Sequence, residues 1–310
     1  MKILIGYDGS DSAHEAIEQL SLAGLPADTA ATVVSAADVW PPLPPSAFEA
    51  ATGENELPLV RQARALARAC YDEAKELAAG GAKRVAQAFP TWKVTPQAHA
   101  GSPVAALVEP PGEPADLIVV GSQGRSAISR LALGSVSQSV ITHAKCSVRI
   151  SRRNEKAGQY AGAPVRIVMG IDGSAYSEKA VAAVAARKWP AGSEVKLVAA
   201  LDPKFWAVFA EASASPWTLA YLGEAETAGR DVAVKAVSTT AERLAAVGLK
   251  TSVVVEEGSP KRVLLHVAEQ WTADCIVVGA KGHNRLDRVL LGSVSMAIAA
   301  QAPCAVEVVR

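Results

Sequence analysis

Apolar residues in this chain gather in short, nearly continuous runs: Ile3-Leu4-Ile5, Leu117-Ile118-Val119-Val120, Ile167-Val168-Met169 and Cys275-Ile276-Val277-Val278. Runs of this length without polar alternation mark strands covered on both faces, as in a parallel sheet. Stretches with helical spacing separate them. The pattern predicts first strands over Lys2–Tyr7 and Arg166–Ile171, then helices with Ser10 or Ser12, and Ser174, as candidate N-caps. Second strands follow over Ala31–Ala37 and Glu194–Leu201. Long helices are expected over about Leu59–Ala79 and Glu224–Ala246, and third strands over Lys93–Ala98 and Thr251–Glu256. A short helix, a buried fourth strand, a last helix and a last strand complete each half. One helix per crossover and five strands per half point to a doubly wound α/β fold, not a barrel.

The halves repeat one another. Lys2-Ile-Leu-Ile-Gly-Tyr-Asp8-Gly-Ser10 returns as Arg166-Ile-Val-Met-Gly-Ile-Asp172-Gly-Ser174, and Gly101-Ser-Pro103 as Gly258-Ser-Pro260. Leu117–Gly121 returns as Cys275–Gly279, and Gly134-Ser-Val-Ser137 as Gly292-Ser-Val-Ser295. The offset is 164 at the first landmark (172 minus 8) and 158 at the glycines (279 minus 121). Lys145-Cys146 and its strand return as Pro303-Cys304 and its strand, and five ordered landmarks mean a duplication. The polar stretch Ser151–Ala163 between them reads as a connection, giving domains over 1–151 and 164–310 with a linker over 152–163.

The candidate chemistry lies in a glycine pattern found in both halves. Gly121-Ser-Gln-Gly124 is followed after nine residues by Gly134-Ser135, and Gly279-Ala-Lys-Gly282 after nine by Gly292-Ser293. Glycines let backbone N–H groups approach an anion, and the Gly-Ser opens a helix whose free N–H groups favour phosphate. Ser135 and Ser293 add hydroxyl donors, and Arg125 or Lys281 adds charge. Val136, Ser137, Val294 and Ser295 complete the first helical turns. Asp8 and Asp172 end the first strands, where a carboxylate suits the base or ribose end of a nucleotide. Neither a P-loop nor a G-x-G-x-x-G after the first strand is present.

Bulk properties narrow the field. The 31 basic and 31 acidic residues cancel, so nucleic acid is not expected as a partner. No apolar run nears the ~20 residues of a spanning helix, and the amino terminus leaves no room for a signal-peptide core. A cytoplasmic location without membrane association is expected. Cys70, Cys146, Cys275 and Cys304 show no metal-site spacing and read as small apolar residues. His14, His99, His143 and His266 have no helper pattern and read as structural or exposed. Neither serine has a His/Asp arrangement around it, so no catalytic residue is assigned. The aromatic inserts Trp40–Pro45 and Phe205–Trp217 read as cover for their own domains or as a partner surface.

The doubled G-x2-G-x9-G-[ST] pattern, the Asp8 and Asp172 turns and the Lys145-Cys146 and Pro303-Cys304 strands resemble the universal stress protein family in its tandem form. The resemblance implies a five-stranded parallel sheet of order 3-2-1-4-5 in each domain. It implies ATP or AMP binding, with or without Mg, and a role in stress adaptation. It also implies a backbone contact to the base at the end of the second strand, placed at Ala37 and Ala200. Pairing of the two domains through their final strands, or a homodimer, is implied as well. In that pairing Arg149 and Glu307, at one repeat position, would meet near the axis or else point to solvent. A basic residue usually follows the second glycine of the motif: Arg125 fits, whereas the second copy has His283, with Arg285 two positions on. The leading expectation is a nucleotide-binding regulatory protein whose conformation or assembly responds to ligand. A slow ATPase, an adenylyl-transferring enzyme and a nucleotide-free scaffold are the alternatives. Adenylating relatives of the fold carry a Ser-Gly-Gly-x-Asp-Ser loop where this chain has Tyr7-Asp8-Gly9-Ser10-Asp11-Ser12.

Overall fold

The structure is a computed structural model of the 310-residue chain. It describes residues 1–38, 58–110, 112–124, 133–152, 162–202, 216–282 and 291–310, the helix from Pro216 being described by its backbone alone as far as 226. The chain divides into two compact units, Met1–Leu20 with Leu25–Arg152, and Ser21–Gly24 with Arg153–Arg310. The expected connection over 152–163 and the inserts 39–57 and 203–215 lie largely or wholly outside the described residues.

The first unit runs β1 (Lys2–Gly6), α1 (Asp11–Glu18), β2 (Ala30–Ala37), α2 (Pro58–Ala88), β3 (Lys93–Ala100), α3 (Pro103–Val108), β4 (Leu117–Gly121), α4 (Ser135–His143) and β5 (Ser147–Ser151). Its strands lie in the order β3-β2-β1-β4-β5, and β1–β2, β2–β3, β1–β4 and β4–β5 all pair in parallel. The second unit repeats this with β6 (Arg166–Gly170), α5 (Ala175–Ala185), β7 (Glu194–Leu201), α6 (Pro216–Ala245), β8 (Lys250–Glu257), α7 (Pro260–Gln270), β9 (Cys275–Gly279), α8 (Ser293–Gln301) and β10 (Ala305–Val309). The order is β10-β9-β6-β7-β8, again with parallel pairs. The expected sheet order holds in both copies.

Burial explains why these segments are strands. All five residues of β4 are buried, as a central parallel strand requires. The terminal strands β3 and β8 are mostly exposed or half-buried. Ile3, Ile5, Val33, Leu117 and Val119 pack with Ala16, Ile17 and Val85 to form one core. Ile167, Met169, Val195, Leu197 and Val277 pack with Val181, Val184, Val237 and Leu244 to form the other. The helices α2 and α6 are longer than their apolar pattern indicates, starting at Pro58 and Pro216, where a proline suits a first turn. The proline cluster after Val108 limits α3 to six residues, whereas α7 runs for eleven. Cys275 and Cys304 are buried and Cys70 and Cys146 half-buried, and no group of metal-binding side chains occurs among the described residues. Nor is any described helix long and apolar enough to cross a membrane.

Candidate functional site

At the carboxyl end of each sheet the chain builds the same cavity twice. It opens where β1 and β4, or β6 and β9, lie side by side and their following connections go to separate helices, the position at which such sheets take ligands. The first cavity has a volume of about 440 Å³ and the second about 320 Å³, both within the range of small-molecule sites.

One wall is the turn after the first strand. Asp8 accepts the N–H of Ser10 through Oδ1 at 3.0 Å, and Asp172 that of Ser174 at 3.0 Å. Gly9 and Gly173 take φ of +76° and +75°, conformations that favour glycine. Ser10 and Ser174 then cap α1 and α5 by accepting the N–H three residues on, at 3.2 Å each. Of the two cap candidates in the first copy, Ser10 is the one used. The turn therefore fixes one carboxylate oxygen and aims the other at Gly124 or Gly282. A Cβ on Gly124 would stand 3.1 Å from Asp8 Oδ2, and one on Gly282 2.7 Å from Asp172 Oδ2.

The glycine pattern resolves into residues with different duties. Gly121 has no space for a side chain, because a Cβ would lie 2.5 Å from Ser12 Oγ and 2.7 Å from its carbonyl oxygen. Gly279 is similarly closed, at 2.6 Å from the carbonyl carbon of Tyr176. These two glycines let the first helix of each copy rest on the end of the fourth strand. Gly134 donates its N–H to the carbonyl of Ser122, and Gly292 to that of Ala280, both at 2.8 Å. Each bond ties the second half of the motif to the first. A Cβ on Gly134 would meet Gln123 Cα at 3.3 Å and Ser122 O at 3.4 Å. Gly134 is thus wedged against its own loop, and a larger residue there would disturb the fold as well as the cavity.

Beyond this bond, α4 and α8 start with glycine N-caps that supply no side-chain bond to the first N–H groups. Ser135, Val136, Ser293 and Val294 line the cavities at these starts, with Ser135 and Ser293 exposed. Open backbone donors and the positive end of the helix dipole create a local preference for an anion. Ser137 and Ser295 also line the cavities, but their hydroxyls donate to Gly121 O and Gly279 O at 2.7 Å. Their side chains hold the helix start to the strand, a structural use that the sequence pattern does not distinguish from a ligand contact.

Of the residues singled out from sequence, the first cavity brings together Asp8, Gly121, Gly124, Gly134, Ser135, Val136 and Ser137. The second brings together Asp172, Gly279, Lys281, Gly282, Gly292, Ser293, Val294 and Ser295. Ala200 is on the second wall, but on the first it is Ala36, not Ala37, that faces the cavity. Ala37 is buried and its carbonyl accepts the N–H of Gly101 at 2.8 Å. The repeat offset would have located this, since 200 minus 164 is 36. Arg125, His283 and Arg285 lie outside the described residues. The apolar wall was not anticipated: Pro103 and Leu107 of α3 in one copy, and Pro260 and Leu264 of α7 in the other, face the strand ends. Gly101 and Gly258, with φ of +123° and +145°, turn the chain so that these prolines start their helices. His14 Nε2 lies 2.6 Å from Tyr7 Oη.

Arg149 and Glu307 are both fully buried, so the alternative in which they point to solvent is not realised. Glu307 receives two hydrogen bonds from Arg187 of its own unit, at 2.9 and 2.5 Å.

The model of the universal stress protein family matches the chain twice, over residues 1–152 and 165–310. A universal stress protein of Mycobacterium tuberculosis is 28% identical over 314 residues, covering 96% of this chain and 92% of its own length. One from Mycolicibacterium smegmatis is 33% identical over 196 residues, covering 63% and 62%. The crystal structure of a universal stress protein from Archaeoglobus fulgidus superimposes with a TM-score of 0.64 at 19% identity, covering 100% of this chain and 98% of that one. With its fold, its doubled site and a family match in each half, the chain belongs to the universal stress protein family as a tandem of two copies.

Proposed function

We propose that each copy binds an adenine nucleotide, ATP or AMP, and that the chain is a regulatory protein of the stress response whose conformation or assembly follows nucleotide occupancy. The observation that carries the reading is the same arrangement built twice: a carboxylate, a glycine opposite it, an uncapped helix start and an apolar wall around one cavity. The donor set fits a nucleotide end to end. The apolar wall of Leu107 and Pro103, or Leu264 and Pro260, suits a base. The carboxylate of Asp8 or Asp172 suits sugar hydroxyls, which donate to it, and repels phosphate. Phosphate is then directed to the far end, where the N–H groups of α4 or α8 are open. Mg would enter as a companion of the phosphates. Membership of the family supports the regulatory role, and a cytoplasmic location accords with it.

The test is direct. Protein purified without added nucleotide is denatured, and the released small molecules are identified and counted by mass spectrometry. Titration calorimetry with ATP, AMP and GTP on the emptied protein then gives affinity and stoichiometry. Two adenine nucleotides per chain, reduced to one by Gly124→Val or by Gly282→Val, is the expected result. A folded protein with no affinity for any of the three nucleotides overturns the reading.

A further inference from the structure

The strands β3 and β8 each have one neighbour among the described strands, β2 and β7 respectively. They occupy the same repeat position but end their sheets differently. In β3 the amides of Lys93 and Gly101 donate to Thr29 and Ala37, so odd-numbered residues turn their backbone groups toward β2 and even-numbered residues turn theirs outward. Pro96 is therefore an outward position, and its missing N–H removes a donor from the middle of the edge. This is a recognised way of blunting a sheet edge.

The equivalent residue in β8 is Val253 (96 plus 157, as Lys250 matches Lys93). The amides of Lys250 and Gly258 donate to Ser193 and Leu201, so Thr251, Val253, Val255 and Glu257 are the outward positions. Val253 keeps the N–H that Pro96 lacks, and its side chain is 47% exposed. Val255 beside it packs against the core cluster containing Val237 and Leu244 of α6, so Val253 is on the α6 face of the sheet. The segment Lys250-Thr-Ser-Val-Val-Val-Glu256-Glu257 combines β-branched residues with no proline and with opposite charges at its two ends.

That charge order fits an antiparallel copy of itself. With a two-fold axis at Val253, outward residues face outward residues: Val253 opposes the partner's Val253, and Thr251 opposes the partner's Val255. On the other face Lys250 opposes the partner's Glu256, twice by symmetry. Neither side chain is buried, and Lys250 is only loosely held by Glu194 at 3.9 Å. We infer that β8 is an edge-to-edge docking strand for a second copy of this chain, giving a two-fold dimer through the second domain while Pro96 keeps the first domain's edge closed. Such a contact is isologous and closes on itself, so it yields dimers and not filaments.

Sedimentation equilibrium of the full chain over a hundredfold concentration range tests this. A reversible monomer–dimer equilibrium is expected. Val253→Pro, which copies the first domain's edge, should weaken it at least tenfold while nucleotide binding stays unchanged. Glu256→Lys and Lys250→Glu should each weaken it, and the double variant Lys250→Glu/Glu256→Lys should restore it. Because the charge variants leave the backbone alone, they decide the question if Val253→Pro fails to fold. A chain that stays monomeric throughout, or a dimer indifferent to the charge reversals, overturns the proposal.

Discussion

Arg187 holds the buried carboxylate of Glu307 with both terminal guanidinium nitrogens, joining the end of α5 to β10. The pair belongs to the second copy alone: the repeat places Ala23 at the position of Arg187 (187 minus 164) and Arg149 at that of Glu307 (307 minus 158). Burial works against the guanidinium's charge. The charge and hydrogen bonds of Glu307, with a smaller contribution from Cys275, more than offset it and hold Arg187 above its ordinary pKa. A base raised on folding contributes stability that is complete below its unfolded pKa and is lost only as pH rises through the folded value. Arg187 therefore contributes no pH dependence across the neutral and mildly alkaline range. Arg187→Met leaves Glu307 buried without its guanidinium and should cost about 3–5 kcal/mol. Arg187→Met/Glu307→Leu should recover most of that, because an apolar pair of similar volume is nearly neutral there. Urea denaturation at two pH values near neutrality reads both effects. A double variant whose loss equals the sum of the losses of Arg187→Met and Glu307→Leu measured singly would show that the two residues are not coupled.

The glycines separate into two classes by what surrounds them. Gly121→Ala drives a Cβ into the backbone of Ser12, and α1 must move. A cost of about 1–3 kcal/mol is expected from such overpacking, with a lower melting temperature whether or not ligand is present. Among the described residues Gly124→Ala meets only the Asp8 carboxylate, and it should leave the stability of the nucleotide-free protein within about 0.5 kcal/mol of its original value. Its effect should appear instead as lost thermal stabilisation on adding ATP. Equal behaviour of the two variants would sink the distinction.

Ser137 and Ser295 provide a related contrast. Each hydroxyl donates to the carbonyl that ends the fourth strand of its copy. Ser137→Ala should cost about 1 kcal/mol for a lost buried hydrogen bond. The loss should be present without nucleotide. A variant with unchanged stability but weakened ATP binding would return the hydroxyl to the ligand.

Much of this was legible in the sequence because duplication doubled every signal. Strand runs such as Leu117–Val120 are unmistakable when they recur at a fixed offset, and the sheet order follows from the family resemblance. The site's polar side was legible for the same reason: glycine and aspartate are local signals tied to turns. What stayed hidden depends on three-dimensional neighbours. Nothing in the sequence says that Gly121 faces Ser12 while Gly124 faces Asp8, since both are glycines of one motif. Strand ends are also hard to place by a single residue, and a slip of one exchanges the two faces of the sheet. That slip separates Ala37 from Ala36. The wall made by Leu107 and Leu264 carries no chemical signal, because apolar helix residues read as ordinary core.

The two cavities differ in charge at one described position. Lys281 lines the second cavity, and its repeat counterpart in the first is Gln123 (281 minus 158), which lines that wall. Ser174 Oγ donates to the carbonyl of Lys281 at 3.2 Å, fixing the backbone from which the side chain extends. Considering Arg125 and His283 alone, the first site would be the stronger triphosphate site, but both residues lie outside the described region. Among the described residues the cation belongs to the second cavity. The Cα of Lys281 is 3.5 Å from where a Cβ on Gly292 would stand, at the start of α8. A cationic side chain carried from that point should favour ligands with more phosphate charge, and a charged hydrogen bond contributes about 1.5–3 kcal/mol. In a Gly124→Val background, which isolates the second site, Lys281→Gln should weaken ATP by roughly tenfold or more and adenosine hardly at all. In the reciprocal Gly282→Val background, Gln123→Lys should strengthen ATP binding at the first site. Added salt should shrink both effects, since the cavities are open to solvent. Calorimetric titration with ATP, AMP and adenosine gives the three affinities needed. If Lys281→Gln lowers all three equally, the side chain shapes the cavity and does not read phosphate charge.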